Sequence, residues 1–400
     1  MNAFSLRAFN VYFLTNTFSL LGTWIQKIGL GWLAWQITES TFWTSVVSLA
    51  LMAPAGILGP VFAVYVERWD MRRAMLLAKS FMALVSLFIV VLQIFNMHSL
   101  QSLLILSFSL GFLNAIHHPI RLVFISLIVP RPYLPSAIGL NSVSFSMSRI
   151  VGPGLAGISI ASLGLGVTFG IASLLYLPFI ITLIWLPLQE RQSEGKTKGN
   201  FITRLHDGGV VALKTPIIFM ALSIVALNSF FVRGVLEIQP AIIGQILGGD
   251  SRSLAVATAA AGVGSIVASG WIGVGKMETN FIRRLLWPGL ALGLVSTLML
   301  SQTVELFWMS VVFVICGFTA TLVGIGSQTI VQLKVEDRYR ARVMTWWSSF
   351  SFGGVTLGGL LIGFIGDFIS INIVISVVGF FGLMLALTIL GKQPLARFGS

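Results

Sequence analysis

Apolar runs of bilayer-spanning length recur from one end of this 400-residue chain to the other, and they leave few folds open. A helix needs about 20 residues to cross a hydrocarbon core of about 30 Å. Inside lipid only a helix or a closed barrel satisfies its own backbone. Twelve such runs can be placed: near 10–36, 42–66, 74–95, 101–127, 136–160 and 166–187, then near 215–246, 253–275, 284–301, 304–331, 342–366 and 371–391. Only 10% of the residues are charged, against roughly 25% in an ordinary soluble domain. The expectation is an all-α membrane protein of twelve transmembrane helices in two pseudo-symmetric six-helix bundles. They would occupy residues 1–188 and 214–400, joined by a polar cytoplasmic linker at 189–213.

The halves carry a shared imprint. Gly111-Phe112 falls on Gly317-Phe318, a shift of 206 residues, and the same shift lays Val129 on Val335, Tyr133 on Tyr339, Gly152 on Gly358 and Gly157 on Gly363. Self-similarity at half the chain length points to a duplicated unit, with a working site expected between the copies. Arg149 and Pro153 of the first copy have no counterpart in the second, where Val355 and Gly359 stand.

A net charge of +12 could suggest nucleic acid, but its placement argues for a membrane. With a cytoplasmic N-terminus, Lys27, Arg149 and Arg233 lie inside spans and Arg252 outside. The remaining Lys and Arg fall in cytoplasmic segments or at the helix ends beside them, the positive-inside pattern. Both termini are then cytoplasmic, and the outer-loop acids Glu39, Asp250, Glu305 and Asp367 call for no special role. Trp32, Trp35 and Trp43 are expected in an interfacial belt.

Cys316 is the single cysteine, so no disulfide framework or thiolate metal cluster is expected. The N-terminal apolar run is full length and reads as a retained span. Gly270 to Lys276 fits GxxxxGK, but Met277 replaces the Ser or Thr that would hold magnesium, and no strand precedes it. Without a phosphate loop the chain is not its own ATPase, and no enzyme, cofactor or metal site is expected. Ion gradients remain as the energy source.

After the second run comes GPVFAVYVERWDMRRAMLLAK, in which the small Ala63 stands four positions before Glu67, and Glu67, Arg68, Asp70, Arg72 and Arg73 form a compact charge cluster. It resembles the loop between helices 2 and 3 of the major facilitator superfamily, in the version of the subgroup that includes the enterobactin exporter and related bacterial drug exporters. The segment from Pro119 and Arg121 through LIVPRPYLPSAIGLNS to SRIVGPGLAG is similar to the helix 4 to helix 5 region of the same subgroup. Gly152, Pro153 and Gly157 look like its helix-5 antiporter motif. Two departures stand out: Glu67 replaces the commoner Asp, and Asp70 the Gly of the wider superfamily. The resemblance implies two bundles rocking about a central cavity, a conformational latch at Glu67, Arg68, Asp70, Arg72 and Arg73, and a tightly packed bend at the helix-5 motif, where Pro153 is expected to kink the chain. It also implies a bacterial inner-membrane location.

Charges inside spans cost roughly 2.5 to 3.5 kcal/mol each and so mark mechanism. Lys27, Arg149, Arg233 and Glu237 are the cavity candidates, and three cations against one carboxylate favour an anionic substrate. Arg233 and Glu237 are four apart and can pair on one helix face. Glu237, His117 and His118 are the proton-coupling candidates. The reading is a monomeric, proton-coupled exporter of a small amphipathic or anionic molecule, siderophore- or drug-like, in contact with lipid and with no nucleic-acid partner. An importer or a lipid flippase on the same fold would satisfy the same residues.

Overall fold

A computed structural model describes residues 3–65, 70–188, 201–274 and 279–392, and nearly all of them are helical. The helices are α1 (Arg7–Thr38), α2 (Thr41–Tyr65), α3 (Met71–Ile94), α4 (Leu100–Phe124), α5 (Leu134–Trp185), α6 (Phe201–Lys214), α7 (Pro216–Leu227), α8 (Gly234–Glu237), α9 (Gln239–Leu247), α10 (Ser251–Val274), α11 (Thr279–Leu300), α12 (Leu306–Lys334), α13 (Asp337–Gly366) and α14 (Ile371–Lys392). Among the described residues nine helices are long and apolar enough to cross a membrane. One of these, the 50-residue stretch Ser136–Trp185, covers two of the expected runs. α1 is 32 residues long but is not one of the nine, because it is rich in polar residues, and it buries Asn16, Ser19 and Gln26.

Helix α3 shows why these segments belong in lipid. Its buried positions, Met71, Met75, Ala78, Lys79, Met82, Ala83, Ser86 and Ile89, repeat at the helical period, while Leu77, Phe81, Leu84, Leu87 and Phe88 are exposed. Leucines and phenylalanines point outward on one face, and the opposite face, with its methionines, alanines, Lys79 and Ser86, packs inside. A surface of that kind is stable only where the solvent is itself apolar.

The chain clusters into two compact units, one comprising Met1–Glu39, Val46–Phe201 and Gly249–Ala259, the other Ser40–Ser45, Ile202–Gly248 and Ala260–Ser400. In the first unit α5 packs along α1 and α3. Its core is built on Phe9, Tyr12, Met75, Phe124 and Phe179 near one end and on Leu30, Val47, Met82, Phe169 and Tyr176 near the other. In the second unit α11 packs on α12 and α14, and α13 on the α7–α8 region. The equivalent glycines of the duplication do the same work in each unit. A Cβ at Gly111 would run into the Ala50 carbonyl, and one at Gly317 into that of Ala261.

Several local expectations change. The chain stays helical through Pro153 and departs only at Gly164, whose φ of 82° and ψ of 169° suit glycine. Proline removes the bond that would close on the Arg149 carbonyl, and the surrounding helices hold the backbone helical without it. From Phe201 the expected linker is helix α6, in which Gly208 and Gly209 lie against Arg342 and Trp346 of α13. Asp207 pairs with Arg342 at 2.7 Å, tying α6 to that helix. Trp32 and Trp35 are buried, so neither offers its ring to an interfacial belt.

Candidate transport residues

Within the first unit the polar side chains line up between α1 and α5. Asn16 donates to Asn141 at 3.3 Å, the Thr17 and Ser144 hydroxyls lie 2.6 Å apart, and the Tyr176 hydroxyl donates to Gln26 at 2.9 Å. Two cations reach this seam by way of aromatic rings. Lys27 lies 5.2 Å from the Trp24 ring, Trp24 meets Phe145 edge to face at 6.2 Å, and the Arg121 guanidinium sits 4.5 Å from Phe145. The order is cation, ring, ring, cation, and Gly152 makes it possible, because a Cβ there would strike Trp24. Gly152 thus seats α5 against α1 at the tryptophan beside Lys27.

The sequence puts Arg121 and Lys79 at helix ends near the cytoplasm, and the structure buries both, to 4% and 1% exposure. Lys79 rests 5.2 Å from the Tyr176 ring. One guanidinium nitrogen of Arg121 and the Tyr12 hydroxyl are buried with no hydrogen-bond partner. Among the described residues no carboxylate pairs with Lys79, Arg121 or Arg149. Arg149 is half-buried on α5, one turn beyond Phe145. His117 is buried one turn before Arg121 on α4; the side chain of His118 lies outside the described residues.

Glu67 and Arg68 of the expected latch also lie outside the described residues, but the rest of the cluster is placed. Asp70 caps α3 by accepting from the Arg73 N–H at 3.1 Å, and its carboxylate pairs with the exposed Arg73 side chain at 3.1 Å. Arg72 donates to the carbonyls of Ile184 and Leu186 at the end of α5. These carbonyls have no partner further along their own helix, so a guanidinium there is favoured.

The second unit interrupts its first membrane helix at the expected charged pair. Asn228 to Arg233 form a π-helical turn, α8 runs only four residues to Glu237, and Ile238 breaks the path before α9. π turns cluster at functional sites because they aim a side chain out of the regular pattern. Arg233 donates to the Ser351 hydroxyl at 2.8 Å and reaches the Ser351 carbonyl and Ser229 hydroxyl at 3.4 and 3.5 Å. Glu237 packs against Gly359, next to the close contact of Gly234 with Gly358. Among the described residues there is no cluster of three or more metal-ligating side chains.

A family model of the major facilitator superfamily described as "Transmembrane secretion effector" matches residues 1–400. The staphyloferrin A transporter of Staphylococcus aureus (strain NCTC 8325 / PS 47) is 23% identical over 385 residues, 92% of each chain. The MFS-type transporter YfiS of Bacillus subtilis (strain 168) is 24% identical over 392 residues, 95% of this chain and 92% of its own. Among solved structures, the nucleoside transporter NupG superposes with a TM-score of 0.72 at 10% identity, over 97% of this chain and 100% of NupG. A POT family transporter in complex with a thioalcohol-conjugated peptide gives 0.70 at 12%, over 98% and 97%. These structures share the fold. The match over the whole length places the chain in the major facilitator superfamily, a family of multi-pass membrane transporters rather than of enzymes.

Proposed function

We propose that this protein exports a small amphipathic anion, siderophore- or drug-like, in exchange for protons, by alternating access of two six-helix halves at 1–188 and 214–400. It would work as a monomer in a bacterial inner membrane with both termini cytoplasmic. The observation that carries the reading is the pair of buried cations, Lys79 and Arg121, resting on aromatic faces with no carboxylate beside them among the described residues. An uncompensated buried charge costs several kcal/mol, and a desolvated cation–ring contact returns about 2. An anionic group on the cargo supplies the remainder, and Trp24, Phe145 and Tyr176 offer apolar surface to its body.

The secretion-effector description of the matching family supports the outward direction, and the staphyloferrin A transporter supports a siderophore as cargo class. Arg149, Arg233 and Lys27 would steer the anion. Glu237, with His117 or His118, would carry the exchanged proton. The charge cluster from Glu67 to Arg73 would hold one state of the cycle.

The test is proton flux in inverted vesicles holding a preset pH gradient. Carboxylate-bearing siderophores should dissipate the gradient, and Glu237→Gln should abolish the response while leaving binding intact. Silence for every candidate would remove proton coupling. Net movement of cargo in the inward direction under the same gradient would replace export by import.

A further inference from the structure

Three helices of the first unit bring hydrogen-bond donors to the place where Lys79 and Arg121 are buried, and α5 surrounds it with rings. Phe124 lies one turn beyond Arg121 on α4, and Phe179 one turn beyond Tyr176 on α5. Tyr12 of α1 stands on both, its ring 6.0 Å from Phe124 and 5.7 Å from Phe179. With Phe9 at 6.4 Å from Tyr12 these rings make an apolar floor, every member of it 0% exposed. Beside that floor Lys79 rests on the Tyr176 ring and Arg121 on Phe145. The charge of Arg121 reaches both the Tyr12 hydroxyl and the Lys79 ammonium, so these groups share one neighbourhood.

That neighbourhood is unbalanced in two ways. It holds two cations, and among the described residues no carboxylate pairs with either. It also holds donors with nothing to donate to: one guanidinium nitrogen of Arg121, the Tyr12 hydroxyl, and the hydroxyl of Ser19, which stands two turns from Tyr12 on the same face of α1. Buried donors are rarely left open, and a charge is costly to bury without a partner. A ligand that is negative and accepts hydrogen bonds answers both. The donor set also says what shape it has. A planar carboxylate or phosphate is matched by two parallel N–H groups of one guanidinium. Here single donors arrive from separate helices: an N–H from α4, hydroxyls from α1 and an ammonium from α3. Such a set is indifferent to the orientation of its ligand and suits a spherical monovalent ion. With Tyr12 and Tyr176 at 0% exposure and Lys79 at 1%, a monatomic ion is admitted where a whole cargo molecule is not.

We propose that the cargo-free transporter holds a resident chloride ion between Arg121, Lys79 and Tyr12, which stands in for the anionic group of the cargo. The inference rests on the reading of these two cations as an anion site, and it adds the ligand they hold before cargo arrives. The aromatic floor keeps the ion dehydrated, and Ser19 offers it a further hydroxyl.

The experiment uses the purified full-length protein in detergent, without cargo or vesicles. Sodium gluconate is replaced stepwise by sodium chloride at constant ionic strength, and the thermal midpoint and the chloride NMR linewidth are followed. Saturable binding should raise the midpoint by about 3–5 °C and broaden the chloride line. Bromide should act likewise, and sulfate, larger and divalent, should not. Tyr12→Phe, which removes only the hydroxyl, should weaken the apparent affinity about tenfold, and Arg121→Gln should abolish the response. Arg252→Gln, at an exposed position, should keep it. Coincident chloride and gluconate curves, or a response unchanged in Tyr12→Phe and Arg121→Gln, would overturn the proposal. If Arg121→Gln does not fold, Tyr12→Phe decides: weaker binding supports the resident ion and parental binding refutes it. Adding a carboxylate-bearing siderophore then separates this inference from the transport reading. A chloride line that narrows with cargo supports both, and chloride binding that no cargo disturbs supports the resident ion alone. Transport in a protein that binds no chloride refutes the ion and leaves the exporter standing.

Discussion

Lys79 and Arg121 put two positive charges into the interior of one bundle, and the physical consequence is a conflict between stability and work. A buried ion carries a desolvation penalty of several kcal/mol, which an apolar group of similar size does not. Lys79→Met should therefore raise the thermal midpoint of the detergent-solubilised protein by a few degrees and cut transport of an anionic cargo at least tenfold. Lys79→Gln should lose transport without gaining stability; scanning calorimetry beside a flux assay separates the two. At the opposite extreme, the Asp70 cap on α3 is exposed and local, and Asp70→Ala should cost about 1 kcal/mol in stability, read by denaturant unfolding. Sequence depth within a run picks out Arg149, Arg233 and Lys27, but it cannot find Lys79 or Arg121. Both lie within a few turns of a helix end, where a charge ordinarily reaches water, and only the packing of α5 across α1 and α3 shows that these do not.

At the scale of helices, the apolar runs are legible because a 3.6-residue period and a length of about 20 residues are written directly in the chain. They also mark a turn: the gap between the runs 136–160 and 166–187 holds Gly164, whose φ 82° and ψ 169° only a residue without a side chain adopts cheaply. The kink expected at Pro153 is a different matter, since the backbone stays helical through it. Gly164→Ala should accordingly cost on the order of 1–3 kcal/mol, while Pro153→Ala should be tolerated to within about 1 kcal/mol; thermal unfolding of both variants checks the contrast. The π turn at Asn228–Arg233 is invisible in the sequence; it ends at Arg233, which donates to Ser351, one turn before Glu237 beside Gly359. α6 escapes notice because its Gly208-Gly209 pair reads as a linker signal, whereas in place it lets the helix lie close on α13.

For the whole molecule, the duplication seen as scattered identities has a structural meaning, since equivalent glycines carry equivalent helix contacts in each half. That repetition ties the two contacts to one ancestral pair of helices: the approach of Gly111 to Ala50 and that of Gly317 to Ala261 are the same meeting made twice, and a side chain at either glycine would part the same two helices in its own half.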